Sequence, residues 1–158
     1  MGRQPLLIIS RRDIMDLDDG PERHAALRAL AQLTRQGYQL VSTASLSHDW
    51  SKNVAVSSRS HPGPKGLRQL IEEAGGVLDA VYYVPHSLLT QKTLREGALK
   101  DILSRFGATP EDCYLLSSGR KLVAIAASLG IRAGDIGDGA SLASELTKLL
   151  ESGPLAPA

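Results

Sequence analysis

The chain has 158 residues, about one domain's worth, and can bury a sizeable core without a disulfide or metal staple. It is 42% hydrophobic and 22% charged with a formal net charge of +1, a balance that favours neither disorder nor nucleic acid nor an anionic membrane surface as partner. Its single cysteine, Cys113, excludes an intrachain disulfide and a cysteine-based zinc cluster, and its place at the head of an apolar run predicts a buried, inert thiol.

The predicted elements alternate between strand and helix. MGRQPLLIIS carries an apolar run too short for a signal peptide or a membrane span, so a cytoplasmic protein is the default expectation. Pro5–Ser10 is predicted to be a buried strand. The aspartates that follow (Asp13, Asp16, Asp18 and Asp19) are expected in a solvated loop, lending negative charge to the start of the next helix. That helix covers residues 21–36, with Ala26, Leu27, Leu30, Leu33 and Thr34 on one face, Pro21 near its start and Gly37 past its end. YQLVSTA, from Tyr38, is a second strand. Residues 44–66 are polar with only VAV as a further strand, and this long loop is either a functional cover or a mobile insertion. Within it His48, Lys52, Arg59, His61 and Lys65 make a locally basic face, and Trp50 is either a partner anchor or a loop plug.

GLRQLIEEAGG spaces Leu67, Leu70, Ile71 and Ala74 as a helix closed by glycines. DAVYYV (79–84) is a third strand, ALKDILSRFG a helix with Leu99, Ile102, Leu103 and Phe106 inward, and CYLLSS a fourth strand. RKLVAIAASLG is a helix closed by Gly130, IRAGDI a short edge strand, and SLASELTKLL the last helix before a tail without periodicity. Such alternation predicts a parallel sheet covered by helices on both faces. Ligands of such sheets bind beyond the carboxyl ends of the strands, here Ser10–Asp13, Thr43–Ser47, Val84–Ser87 and Ser117–Arg120.

These positions carry a resemblance. The chain resembles the haloacid-dehalogenase-like (HAD) phosphatases, in the branch of histidinol-phosphatases and heptose-bisphosphate phosphatases. That branch opens with a strand and D-R-D-G-V/T-I-N; here the strand leads into Ser10-Arg11-Arg12-Asp13-Ile14-Met15-Asp16. Its second motif, T-N-Q-S-G, follows a GY-x-L-V-V strand; GYQLVSTASLS supplies Thr43, Ala44 and Ser45. Its third strand, IDGIYYCPHH, is matched by LDAVYYVPHS, and K-P-x-P-G-M by TLREGAL. The last motif, V-G-D-x-x-x-D, is matched by LSSGRKL, with Gly130 eight residues after Leu122 as in the family. The resemblance covers about residues 5–135. It implies a three-layer α/β/α Rossmann-like HAD fold with a parallel sheet and no large cap domain. One domain is expected over 1–150, with a flexible C-terminal tail at 151–158.

The family's chemistry needs an aspartate nucleophile, a second aspartate as acid and base, and Mg²⁺ held in part by a last-motif aspartate. Ser10 stands at the nucleophile position, Arg12 at the acid/base position, Ser118 at the metal position and Leu122 at the other last-motif acid. The lysine that would balance the phosphate falls at Thr93, with Lys92 adjacent; Thr43 retains the second-motif hydroxyl. The resemblance therefore implies no catalytic residue and a lost Mg²⁺ site. The zinc loop of some members is lost too: Val84 stands for its first cysteine, and His86 alone survives, as a family leftover or a ligand contact. Asp16 cannot restore the nucleophile, since six extended residues at about 3.3 Å each can carry it some 20 Å from Ser10. Asp13 replaces the family's glycine, not a catalytic acid.

The expectation is a pseudophosphatase that binds either a protein partner or a phosphorylated small molecule, with no role for nucleic acid or membrane. Its cleft would hold an anion without metal through Ser10, Arg12, Thr43, His86, Lys92, Arg95, Ser117 and Ser118. Arg12 has a competing use, pairing with Asp13, Asp16 or another surface acid. The alternative reading is a residual phosphatase acting on a sugar or histidinol phosphate.

Overall fold

The computed structural model describes residues 5–15, 20–46, 66–85, 91–136 and 141–152. The side chains of 44–46, 83–85, 91–95 and 152 lie outside that description. The strands are β1 (Leu6–Ser10), β2 (Gln39–Leu46), β3 (Ala80–Pro85), β4 (Cys113–Ser117) and β5 (Arg132–Asp135). The helices are α1 (Arg11–Met15), α2 (Pro21–Arg35), α3 (Leu67–Glu73), α4 (Gln91–Phe106), α5 (Arg120–Ser128) and α6 (Leu142–Ser152). A single 3₁₀ turn, Pro110–Asp112, leads into β4.

The five strands form one parallel sheet in the order β3-β2-β1-β4-β5. β1 lies at its centre because LLIIS is apolar on both faces, as a strand covered from both sides must be. Period-two alternation divides the core. Leu7, Ile9, Leu40, Tyr114 and Leu116 face α2, α3 and α6, meeting Leu30, Leu33, Ile71, Leu142 and Leu146. Leu6, Ile8, Val41, Cys113 and Leu115 face α4 and α5, meeting Leu99, Ile102, Leu103, Ile125 and Ala126. Each such buried aliphatic side chain contributes about 1.5–3 kcal/mol. This is the three-layer Rossmann-like arrangement, and the described residues hold no large cap. No helix among them is long and apolar enough to cross a membrane.

Four differences from the sequence reading have local causes. Residues 11–15, expected as loop, form α1, a helix far too short to persist alone and held by Ile14, which is fully buried. β2 continues through Leu46, into the segment expected to be loop, because β3 pairs with it as far as Leu46↔Pro85. α4 begins at Gln91, well before the apolar stripe that signals it, and α6 runs to Ser152, past the expected boundary at 150. The possible VAV strand, Trp50 and the basic residues 48–65 lie outside the described residues, as does the tail from 153. The glycine stops hold: Gly37 and Gly130 close α2 and α5 with φ of 104° and 91°. Burial pushes the Cys113 thiol up to about 12, consistent with an inert core residue.

Candidate functional site

The chain leaves β1 to build β2 and β3 on one side, then returns to build β4 and β5 on the other. The order therefore reverses between β1 and β4, and the crevice beyond their carboxyl ends is where an open α/β sheet receives a ligand. Ser10 ends β1 and Ser117 ends β4.

The alternation that sorts the core also sorts these ends. Ser10 continues the row Leu6, Ile8; Thr43 follows Val41; Ser117 follows Cys113, Leu115. All three hydroxyls thus stand at the top of the layer facing α4 and α5, side by side across three adjacent strands. Ser10 Oγ lies 3.0 Å from Ser117 Oγ, and Thr43 Oγ1 is 3.5 Å from Ser10 Oγ and 3.4 Å from the Ile9 carbonyl. The Gly119 amide donates to Ser117 Oγ at 3.0 Å. Ser10, Thr43 and Ser117 are at most 9% exposed, so these bonds replace water rather than compete with it.

Above this row the site is charged and more open. Asp13, on α1, reaches across the crevice to β4: the Ser118 amide donates to Asp13 Oδ2 at 3.1 Å, and the Ser118 hydroxyl donates to Oδ1. Arg12, on the same helix, is exposed and already holds an interaction of its own. Beyond β4, Arg120 Nε approaches Asp135 Oδ2 at 3.9 Å at the end of β5. The Ile136 amide extends the ladder to the Ser117 carbonyl at 3.0 Å.

The structure brings together Ser10, Thr43 and Ser117, and pairs Ser118, the next residue along, with Asp13. His86 lies outside the described residues, and Lys92, Thr93 and Arg95 fall in the first turns of α4 with side chains outside the description. Asp13 and Arg120 fall within the strand-end stretches expected to meet a ligand but carry no assigned role there, and Asp135 lies outside those stretches. For Asp13 the available signal was its position three residues beyond a strand end, which a helical turn converts from remote to adjacent.

Around the crevice the described oxygen donors are hydroxyls and two carboxylates, Asp13 held by Ser118 and Asp135 beside Arg120. Among the described residues no group of three or more His, Cys, Asp or Glu side chains converges as metal ligands. A hard dication takes several free oxygens converging on one point, and both described carboxylates are engaged by other groups, so this set does not fit it.

The fold is a three-layer, Rossmann-like α/β arrangement of the HAD kind, with its crevice at the carboxyl ends of β1 and β4. The chain is similar in sequence to heptose-bisphosphate phosphatases. It is 25% identical over 116 residues to D-glycero-beta-D-manno-heptose-1,7-bisphosphate 7-phosphatases of Neisseria meningitidis serogroups A and B. That match takes in 71% of this chain and 62% of the relatives' length, so it spans less than two thirds of them. The crystal structure of D,D-heptose 1,7-bisphosphate phosphatase from B. bronchiseptica, complexed with magnesium and phosphate, superposes with a TM-score of 0.66 at 18% identity. The superposition covers 94% of this chain and 99% of that one. An uncharacterized protein from Corynebacterium glutamicum follows at 0.53 and 15% identity, covering 85% of each chain. At these identities the structural matches speak for the fold. No protein-family model matches the chain.

Proposed function

We propose that the chain is a catalytically inactive HAD-like phosphatase homologue that works by binding, and that its ligand is a phosphorylated small molecule held without a metal ion. The observation that carries this reading is the row at the switch point. The positions that correspond to nucleophile and metal ligand are Ser10 and Ser118, and both hydroxyls are engaged by other side chains, Ser10 by Ser117 within the core and Ser118 by Asp13 at the surface. A serine needs a base to attack phosphorus, and the side chains next to Ser10 in sequence are the arginines Arg11 and Arg12, whose guanidiniums carry donors and no acceptor. Loss of a single nucleophile costs a hydrolase on the order of 10⁶ in rate. The names of the relatives make a sugar phosphate the first ligand class to try.

Two measurements test this. Purified protein with Mg²⁺ is offered an aryl phosphate and a heptose bisphosphate. The expected result is turnover more than a thousandfold below an ordinary enzyme's value of roughly 10 s⁻¹. Metal-dependent turnover above that level, abolished by Ser10→Ala, overturns the reading in favour of a phosphatase. Calorimetric titration with phosphate and sugar phosphates in EDTA then tests binding, with loss in Arg12→Ala expected.

A further inference from the structure

Asp13 brings a negative charge to the mouth of the crevice that a phospho-ligand would have to share. Its two carboxylate oxygens take the Ser118 amide and the Ser118 hydroxyl, a contact that joins residues 105 positions apart. Those are the donors that lie outermost at the end of β4. The deeper hydroxyls, Ser10, Thr43 and Ser117, are buried and bonded among themselves and to the Gly119 amide. An arriving oxyanion would therefore find its outer donors already held by an oxyanion. One oxygen on an amide and the other on a hydroxyl is also the pattern in which two oxygens of a phosphate would bind.

We propose that Asp13 is a built-in competitor for the anion position at Ser118, so that ligand binds by displacing it. The proposal rests on the metal-free binding reading above. Asp13 can leave at little cost to the fold: it is partly exposed, and α1 is pinned to the core through Ile14, not through Asp13. While its carboxylate is in place the site is closed, so apparent affinity falls by the fraction of molecules in which it is away. A dianionic phosphate monoester carries more charge than a carboxylate and offers a third oxygen to further donors, so phosphates are the class able to win the exchange.

The test follows the Ser118 amide signal by ¹H–¹⁵N spectroscopy while inorganic phosphate is added, in EDTA, to wild type, Asp13→Ala and Asp13→Asn. The expected result is that phosphate moves the Ser118 signal and binds Asp13→Ala about ten- to a hundredfold more tightly than wild type, the range of one charge-assisted hydrogen-bond set removed from competition. Asp13→Asn, nearly isosteric, falls between them, and it carries the test if the alanine variant does not fold. Equal affinity in all three proteins, lost in Arg12→Ala, overturns the competitor and leaves the anion site standing. Tighter binding that leaves the Ser118 signal unmoved overturns it as well. No phosphate binding in any variant overturns both readings.

Discussion

At the carboxyl end of the sheet the buried hydroxyls of Ser10, Thr43 and Ser117 satisfy one another, whereas at the amino end the buried Tyr38 hydroxyl meets no partner with good hydrogen-bond geometry and has only the Tyr114 hydroxyl near it. Tyr38 packs its ring 6.0 Å from that of Tyr114, whose own hydroxyl accepts from Arg132 Nη1 at 2.9 Å. The Arg132 guanidinium also lies 5.4 Å from the centre of the Tyr114 ring. An unpaired buried hydroxyl costs about 1–3 kcal/mol, and this molecule tolerates one. Pairing every buried hydroxyl is therefore not a general habit of this fold. At the edge where the resemblance places the catalytic groups of active relatives, three buried hydroxyls on adjacent strands are joined in one network.

The sharpest way to break this comparison is to restore a carboxylate. Ser10→Asp puts an unpaired charge into a row that is almost fully buried, and a loss of about 3–5 kcal/mol in unfolding free energy is expected by urea titration. If added Mg²⁺ returns that stability, the crevice supplies metal ligands and the contrast with the amino end fails. Ser117→Ala comes next. It strips partners from both Ser10 Oγ and the Gly119 amide, and a loss of about 1–3 kcal/mol is expected in the same assay.

Alkaline titration addresses the other end. Burial pushes Tyr38 up from 10.0 to about 12, with Tyr114 adding to the shift, and burial alone pushes Cys113 up from 9.0 to about 12. The unfolded chain loses these protons first, so it binds fewer protons than the native state and stability falls as pH rises. Their contribution is fully present below about pH 9 and is lost through pH 12. Thermal melts across that range should slope downward, with Cys113→Ala flattening the part that begins near pH 9 and Tyr38→Phe the part that begins near pH 10. At neutral pH Tyr38→Phe should cost nothing and can gain up to about 1 kcal/mol, the opposite sign to Ser117→Ala. The smallest effect belongs to Thr43→Val. Its hydroxyl bonds are 3.4 and 3.5 Å long, and a loss under about 1 kcal/mol is expected.

The strands and α2 were legible because each carries a complete pattern of its own: LLIIS is apolar throughout, and Leu27, Leu30 and Leu33 repeat at helical spacing. α1 was not, since a helix so short has no period to show and forms only because Ile14 finds the core. The start of α4 was hidden by QKTLREG, whose polar residues and Gly97 give no inward stripe. The site divides in the same way. Ser10, Thr43 and Ser117 could be placed from strand ends and period two. Asp13 could not, because its contact with Ser118 depends on a helix the sequence does not announce and on a strand 100 residues further along.

The distance along the chain between β1 and β4 also bears on how the molecule comes to exist. β1 can pair with β2 once the intervening helix has formed, but its other edge waits for a strand whose first residue, Cys113, lies opposite Leu6. Closing so long a loop is entropically slow, and during synthesis the first half emerges well before the second. Until β4 arrives, LLIIS presents an open, wholly apolar edge to other chains, so interruption or delay of the second half is expected to expose the strand most prone to association. The crevice between these two strands is assembled only when β4 arrives, ahead of β5 and the last helix, and its hydrogen bonds record the joining of the two halves.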